Sequence, residues 1–166
     1  MRMVLICCSW GCILVYGDTV TLFNRYHSRV DGGTWYPTVL HGVDLNVDKA
    51  AILATYGAES EDNAKLHVRY RKRNGGIYVA NKPYLLPKEW DRQTNDQLPT
   101  SLTFTGGADF DFFYVGEWEG GVVTDDDYPA YPDGFYGYMN ERFDLVFAIT
   151  SVAMYSASPH FEIMAR

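Results

Sequence analysis

Closely spaced carboxylates are the residues best suited to chemistry in this sequence. Asp125–Asp127 are consecutive, and hard cations prefer several carboxylate oxygens. The D-x-D-x-D-G spacing of a calcium loop is absent, so solvated loop acids are the favoured interpretation. Two further pairs of acids are spaced at i, i+2 and would each share a strand face: Asp109 with Asp111, and Glu117 with Glu119. A pair of carboxylates on one face could serve as the acid and the base of a glycosidase. No other feature indicates a glycosidase.

Nucleophile, cofactor and metal motifs are missing from the chain. There is no phosphate-binding Walker loop, no G-x-G-x-x-G and no G-x-S-x-G. The four histidines stand far apart and are predicted to be turn, strand-face or core residues, although one could pair with a distant carboxylate. All three cysteines lie in the first twelve residues, and no second ligand pair completes a zinc set. We therefore predict no catalytic residue, no cofactor and no metal site.

Charge is segregated along the chain. Residues 65–92 hold eight of the 14 basic residues, whereas residues 93–141 hold ten acids and no Lys or Arg. The simplest interpretation is solvated loops and strand faces. The alternative is a pair of complementary surfaces between neighbouring subunits, or an acidic rim on a pore. The candidate subunit-interface residues are Lys65, Arg69, Arg71, Arg73, Asp125, Asp126 and Asp127.

Composition favours a folded, β-rich assembly protein. The 166 residues fit one domain, with 47% hydrophobic, 21% charged and 16% aromatic residues. Aromatic residues suit both sheet surfaces and protein interfaces. The net charge of −7 disfavours a protein that wraps nucleic acid, although the basic segment Lys65–Arg73 could make a local contact. The absence of a paired cysteine framework favours a reducing compartment such as the cytoplasm.

The first sixteen residues form an apolar segment of their own. They lack an A-x-A cleavage site and are too short to span a bilayer. We predict that residues 1–16 are an N-terminal extension or docking arm, and that residues 17–166 form a single β-rich domain with no membrane association.

Alternation of apolar and polar residues predicts many short strands. In Ala64–Arg73, Leu66, Val68 and Tyr70 would face the core, opposite a strongly basic face. Pro37 predicts an edge or bulge, and Asn74-Gly75 predicts a hairpin turn. The predicted elements are strands at 19–26, 35–47, 64–73, 101–104 and 109–118, two closing strands at 145–156 and 159–166, a turn at 27–34, an extended segment at 77–86, and helices at 48–56 and 135–142.

Many short strands separated by turns predict a mainly β fold. The expected architecture is a small β-barrel or sandwich with long loops and one or two short helices.

Four segments carry a resemblance to a known family. They are TVTLFNRY, W-x-x-T-V-L-x-G-V at Trp35–Val43, K-x-Y-L-L-P-x-E-W at Lys82–Trp90, and the ending DLVFAITSV…SPHFEIMAR. On these segments, residues 17–166 resemble short prophage proteins of Gram-positive bacteria that belong to head and tail morphogenesis. The last segment is similar to the closing hairpin of head-completion and connector proteins. Residues 1–16 and the acidic segment 119–134 depart from that pattern.

The resemblance implies a virion structural protein of the head-tail connector, or neck, similar to stopper and head-completion proteins. Its expected partners are copies of itself in a ring of sixfold or twelvefold symmetry, the portal or adaptor, and tail proteins. DNA would pass through the ring without sequence-specific binding, and the protein would reach the virion after assembly in the host cytoplasm. The alternatives are another virion role (tail tube, minor capsid or decoration) and a β-barrel ligand- or carbohydrate-binding module, for which YPAYPDGFYGY is the argument.

Overall fold

The structure, a computed structural model, describes residues 7–8, 11–12, 17–26, 33–47 and 64–166. The predicted helix at 48–56 and most of the predicted turn at 27–34 lie outside these residues. The strands in chain order are β1 (Cys7–Cys8), β2 (Gly11–Cys12), β3 (Asp18–Tyr26), β4 (Thr34–Val47), β5 (Ala64–Arg69), β6 (Arg71–Arg73), β7 (Gly76–Val79), β8 (Lys82–Tyr84), β9 (Phe112–Val115), β10 (Val123–Thr124), β11 (Val146–Tyr155) and β12 (His160–Ala165). The helices are α1 (Pro87–Trp90) and α2 (Gly134–Arg142), with single 3-10 turns at Leu98–Thr100 and Asp125–Asp127.

Six antiparallel strands close into a barrel in the order β4-β3-β9-β11-β12-β5, and β5 pairs back onto β4. The prediction of a mainly β barrel or sandwich is confirmed, and the barrel is the alternative that forms. Strand β10 adds to the outer edge of β4, and β6-β7-β8 form a separate antiparallel sheet. Strands β1 and β2 pair with each other within residues 1–16.

Two long strands make the corners of the barrel. The first part of β4 pairs with β3 and its last residues pair with β5, while β11 changes partner from β9 to β12. The ladder is irregular at each change. Gly42 is the extra residue in β4, with φ at +65°, and Thr150 is the extra residue in β11. Such bulges bend a strand and increase its twist, which lets one strand serve two neighbours.

The wall formed by β3 and β9 is buried on both faces. Val20, Leu22 and Phe113 point into the barrel. Phe23 and Phe112 point outward and stack with ring centroids 4.8 Å apart, beneath helix α2. This double burial agrees with the unbroken run of buried residues, 20–24, in the middle of β3 and with the presence of a helix over that wall.

Strand β12 lies in the barrel between β11 and β5. Phe161, Ile163 and Ala165 are buried there, as their alternation predicted. Pro37 sits in β4 opposite Phe23, at a position where β4 has no second neighbour among the described strands, so the predicted edge position is also confirmed.

Three predicted strands differ in the structure. The segment Ala64–Arg73 keeps its buried and exposed sides but divides at Tyr70 into β5 and β6. The predicted strand at 109–118 shortens to Phe112–Val115. Residues 101–104 are buried but make only a single bridge, from Leu102 to Tyr84, because loop and side-chain partners satisfy their backbone groups.

The extended segment predicted at 77–86 is instead a second hairpin. Ala80 and Asn81 both have positive φ, at 49° and 64°, and reverse the chain between β7 and β8. Asn74 and Gly75 make the same turn between β6 and β7, at 49° and 77°, as predicted. Alanine rarely occupies a left-handed position because its Cβ approaches the following carbonyl oxygen, so Asn81 was the one local signal for this turn.

The two turns predict opposite responses to glycine and alanine. Gly75→Ala should lower the free energy of unfolding by about 1 kcal/mol, since Gly75 has open space around it and only the backbone strain matters. Ala80→Gly removes the same backbone strain, and this gain offsets the extra entropy that glycine gives to the unfolded chain. The free energy of unfolding should therefore not decrease. Urea denaturation of both variants checks this. Equal losses in both variants would contradict the turn assignment.

Candidate functional site

A cleft of about 350 Å³ opens beside the start of α2, where three distant parts of the chain meet. Its lining includes the end of β3, the start of β4, the 3-10 turn Asp125–Asp127 and the loop before α2. We call it the aromatic cleft, and its defining residues are Arg25, Trp35, Phe110, Asp126, Asp133 and Tyr136.

Asp125 holds the cleft together. One carboxylate oxygen accepts hydrogen bonds from the Trp35 indole at 2.7 Å and from the backbone N–H of Phe135 at 2.9 Å. The other oxygen pairs with the Arg25 guanidinium at 3.3 Å, and the side chains of Arg25 and Asp125 are only 26% and 15% exposed. The Arg25 guanidinium also lies 5.2 Å from the centre of the Trp35 ring. Asp125 thus caps α2 while fixing the cation and the indole.

Gly134 is required at the start of α2 by this arrangement. Its φ is +59°, a left-handed value, and a Cβ there would collide with the Asp125 carboxylate. The glycine lets the helix begin close enough for the N–H of Phe135 to reach Asp125.

The three predicted interface aspartates have three different roles. Asp125 is internal to the subunit, as described. Asp127 accepts hydrogen bonds from the backbone and hydroxyl of Thr124 and so closes a capping box. Asp126 is exposed and lines the aromatic cleft. Of the three, only Asp126 directs its charge into open solvent without an internal hydrogen bond among the described contacts.

A buried carboxylate sets the position of Arg25 from the other side. Asp111 is 1% exposed and accepts hydrogen bonds from the backbone of Arg25, the backbone of Thr105 and the side chain of Asn24. Asn24 in turn binds the backbone of Thr103. These bonds tie the loop that precedes β9 to strand β3. Burial raises the pKa of Asp111 to about 7, against the opposing effect of its donors.

The basic candidates divide between the barrel wall and a projecting hairpin. Lys65 pairs with Glu162 at 3.8 Å. His67 lies between Asp44 at 2.9 Å and Glu162 at 3.3 Å, and the exposed His41 lies 3.6 Å from Glu117, so two histidines pair with distant carboxylates. The basic face predicted for Ala64–Arg73 is therefore balanced by acids at its β5 end.

Of the remaining basic candidates, Arg69 ends β5, while Arg71 and Arg73 lie on what we call the basic hairpin, residues 71–79. Arg71, Lys72 and Arg73 are all exposed, as is Arg69 before them. Successive strand residues point to opposite faces, so β6 meets solvent on both faces, whereas Ile77 and Tyr78 in β7 are half-buried. Val79 at its base is buried and Tyr70 donates its hydroxyl hydrogen to the Tyr155 carbonyl, which anchors the hairpin to the barrel.

Sequence reasoning missed Arg25, Trp35, Phe110 and Gly134 as cleft residues. Their nearest signal was the tyrosine- and proline-rich segment after Asp127, which indicated a binding surface without indicating what it would pack against. Asp109 and Asp111, predicted to share a strand face, lie before β9 instead. Asp109 is exposed and Asp111 is buried, so they do not form an acid–base pair. Among the described residues no group of three or more metal-ligating side chains is placed to hold an ion.

Replacement of the aspartates should separate their roles. Asp125→Ala leaves the Trp35 indole and the Arg25 guanidinium without their acceptor, and should lower the free energy of unfolding by about 3 kcal/mol. Asp126→Ala, which alters the same surface without removing an internal bond, should change it by less than about 0.5 kcal/mol. Chemical denaturation followed by tryptophan fluorescence measures both. Similar losses in the two variants would rule out Asp125 as the organising residue.

Asp111 should make stability depend on pH. Its pKa is raised in the folded chain from 3.8 to about 7, so between these values the native state holds a proton that the unfolded state releases. The stabilisation that comes from this bound proton is complete below pH 3.8, decreases as the pH rises from 3.8 to about 7, and is absent above that range. Carbon-13 NMR of the side-chain carboxyl, assigned with Asp111→Asn, should show a midpoint near neutral pH. A carboxylate that remains ionised down to pH values of about 5 would contradict this.

Comparison with known proteins places the chain in a family. A model described as a family of unknown function (DUF6751) matches residues 15–166. No curated protein and no solved structure matches the chain. Within the described residues, no helix is long and apolar enough to cross a membrane. The family match includes every strand from β3 to β12 together with the aromatic cleft and the basic hairpin, and the chain therefore belongs to the DUF6751 family of unknown function.

Proposed function

We propose that this chain is a structural subunit of a bacteriophage head-tail connector that acts by ring assembly between portal and tail, and that it is not an enzyme. The basic hairpin is the observation that carries the proposal. Strand β6, at the edge of the three-stranded sheet β6-β7-β8, exposes three consecutive cations, which repel each other and add little to the stability of the subunit. Such an element is best explained as a contact for another subunit.

The closed barrel supports assembly through side chains and loops. In a closed sheet the strands satisfy each other's backbone groups, so edge-to-edge pairing of barrels is restricted. Specific association then depends on projecting elements and charged surfaces, which set register and encounter rate. The resemblance of the last sequence segment to the closing hairpin of head-completion and connector proteins agrees with this mode of action.

The charge of the chain is compatible with a DNA channel. A net charge of −7 gives no general attraction for phosphates, which suits a ring through which DNA passes without sequence-specific contacts. The proposed location is the virion, after assembly in the host cytoplasm. Whether the chain is a stopper-like protein, or instead a tail-tube, minor capsid or decoration protein, depends on which layer of the virion it joins.

The aromatic cleft favours a second candidate, a carbohydrate-binding module. Aromatic rings beside carboxylates can stack on sugars and accept hydrogen bonds from hydroxyls. Several of these rings are, however, packed against each other: Phe110 meets Tyr136 at 4.8 Å, and Tyr128 meets Tyr138 at 4.6 Å between centroids. A sugar platform needs an open ring face, so assembly is the stronger proposal.

Imaging of the purified chain tests the proposal directly. Negative-stain microscopy and mass photometry, with and without the portal of the same phage, should show rings or portal-bound rings. Raising the salt concentration from about 0.1 M to about 1 M shortens the screening length from about 10 Å to about 3 Å, and should reduce assembly.

A portal from an unrelated phage serves as the control. A chain that stays monomeric in all conditions and ignores its own portal, but binds glycans on an array, would replace the connector proposal with the second candidate.

A further inference from the structure

The aromatic cleft carries excess negative charge. Arg25 and Asp125 form an ion pair and balance each other. Asp126 and Asp133, which also line the cleft, are exposed and have no cation partner among the described ion pairs. Two carboxylates therefore remain at the mouth of the cleft, beside aromatic rings.

The surrounding rings already hold guanidinium groups in this part of the fold. Arg25 lies over Trp35, and Arg142 on α2 lies 5.9 Å from the centre of the Tyr138 ring. Aromatic faces attract cations through their quadrupoles, and Arg does so most often. Because the rings lining the cleft are largely packed against each other, it is the two uncompensated carboxylates at its mouth that make it suited to another cationic side chain.

The cleft also has a suitable size. Its volume of about 350 Å³ lies within the range of clefts that accept small groups, roughly 300–1,000 Å³. It can accept one or two extended side chains, whereas a complete folded element would not fit.

The basic hairpin offers such side chains on the same molecule. Arg71, Lys72 and Arg73 are exposed, and the described ion pairs include none of them. Arg71 and Arg73 point to the same face of β6, and the turn Asn74-Gly75 places them near the hairpin tip. Arginine is also the residue that pairs best with carboxylates and aromatic faces in a desolvated contact.

We propose that the Asp126–Asp133 mouth of the aromatic cleft receives Arg71 and Arg73 from the basic hairpin of a second copy of this chain. The inference rests on the proposed assembly function and names the contact through which assembly occurs. Hairpin and cleft are different surfaces, so the contact is head-to-tail, and every subunit both gives a hairpin and receives one. Charge complementarity selects a second copy over an uncharged occupant.

Two reciprocal charge-reversed chains test this contact. One carries Arg71→Glu with Arg73→Glu, and the other carries Asp126→Lys with Asp133→Lys. Each chain alone places like charges together and should self-associate at least about tenfold more weakly than the parent at low salt. An equal mixture places Glu against Lys and Arg against Asp, and should restore association by sedimentation velocity and microscopy.

Matched control variants carry the same change in charge elsewhere on the surface. Lys88→Glu with Arg92→Glu, and Glu89→Lys with Asp96→Lys, alter exposed residues that neither line the cleft nor belong to the basic hairpin. These variants should associate like the parent. Circular dichroism checks that each variant is folded. If a double variant unfolds, the corresponding single variant, Arg73→Glu or Asp126→Lys, takes its place.

The outcomes distinguish this contact from the general proposal. If the parent assembles and the reversed chains also assemble alone, or if their mixture gives no recovery, the hairpin–cleft contact is wrong while ring assembly stands. If the parent itself does not assemble with or without portal, the proposed function fails, and this contact fails with it. Recovery in the mixture only, with unaffected controls, establishes the contact.

Discussion

Four residue pairs between β4 and β5, from Asp44–His67 to Val47–Ala64, close the sheet into a barrel. They form because the extra residue at Gly42 turns β4 away from β3 and toward β5. Closure buries the inner face of β3 and β9 and leaves their outer face to be covered by helix α2. Since α2 forms one side of the aromatic cleft, the cleft exists only where the barrel has closed. The strand that completes the closure is β5, and the basic hairpin follows it in the chain.

The barrel strands could be predicted because each has a strong local signal. The alternation in Ala64–Arg73 and at Phe161, Ile163 and Ala165 separated core from surface side chains correctly. Local pattern failed where tertiary contacts decide the conformation. Residues 101–104 are as apolar as a strand, yet buried loop bonds replace a ladder there. Ala80 adopts a left-handed turn that its own side chain disfavours, because the pairing of β7 with β8 requires it.

The candidate site was less accessible from the sequence because its parts are remote from each other. Arg25, Trp35 and Asp125 meet across separations of up to 100 residues. A run of three aspartates indicates charge, but it does not reveal that Asp125 caps a helix, that Asp127 caps a 3-10 turn and that Asp126 faces solvent. Those roles follow from which neighbour each carboxylate reaches, and that depends on how β10 and α2 dock against β4 and β3. The exposure of the cations in β6 could be predicted without such knowledge, because the alternation of the segment and its lack of acidic residues are visible in the local sequence.

A head-to-tail contact between hairpin and cleft does not by itself determine a closed ring. The rotation between successive subunits decides whether the chain of contacts returns to its start or continues as a helical filament. The hairpin is anchored at Tyr70 and Val79, while the cleft is fixed by Asp125 and Asp111, so both partners are rigidly attached to the barrel. Rigid attachment restricts that rotation to a narrow range, and surface ion pairs are individually weak. In the proposed connector, a symmetric portal would select the closed arrangement by holding neighbouring subunits at the angle at which each hairpin meets the next cleft. Assembly that is weak in solution and strong on such a template would prevent premature filaments.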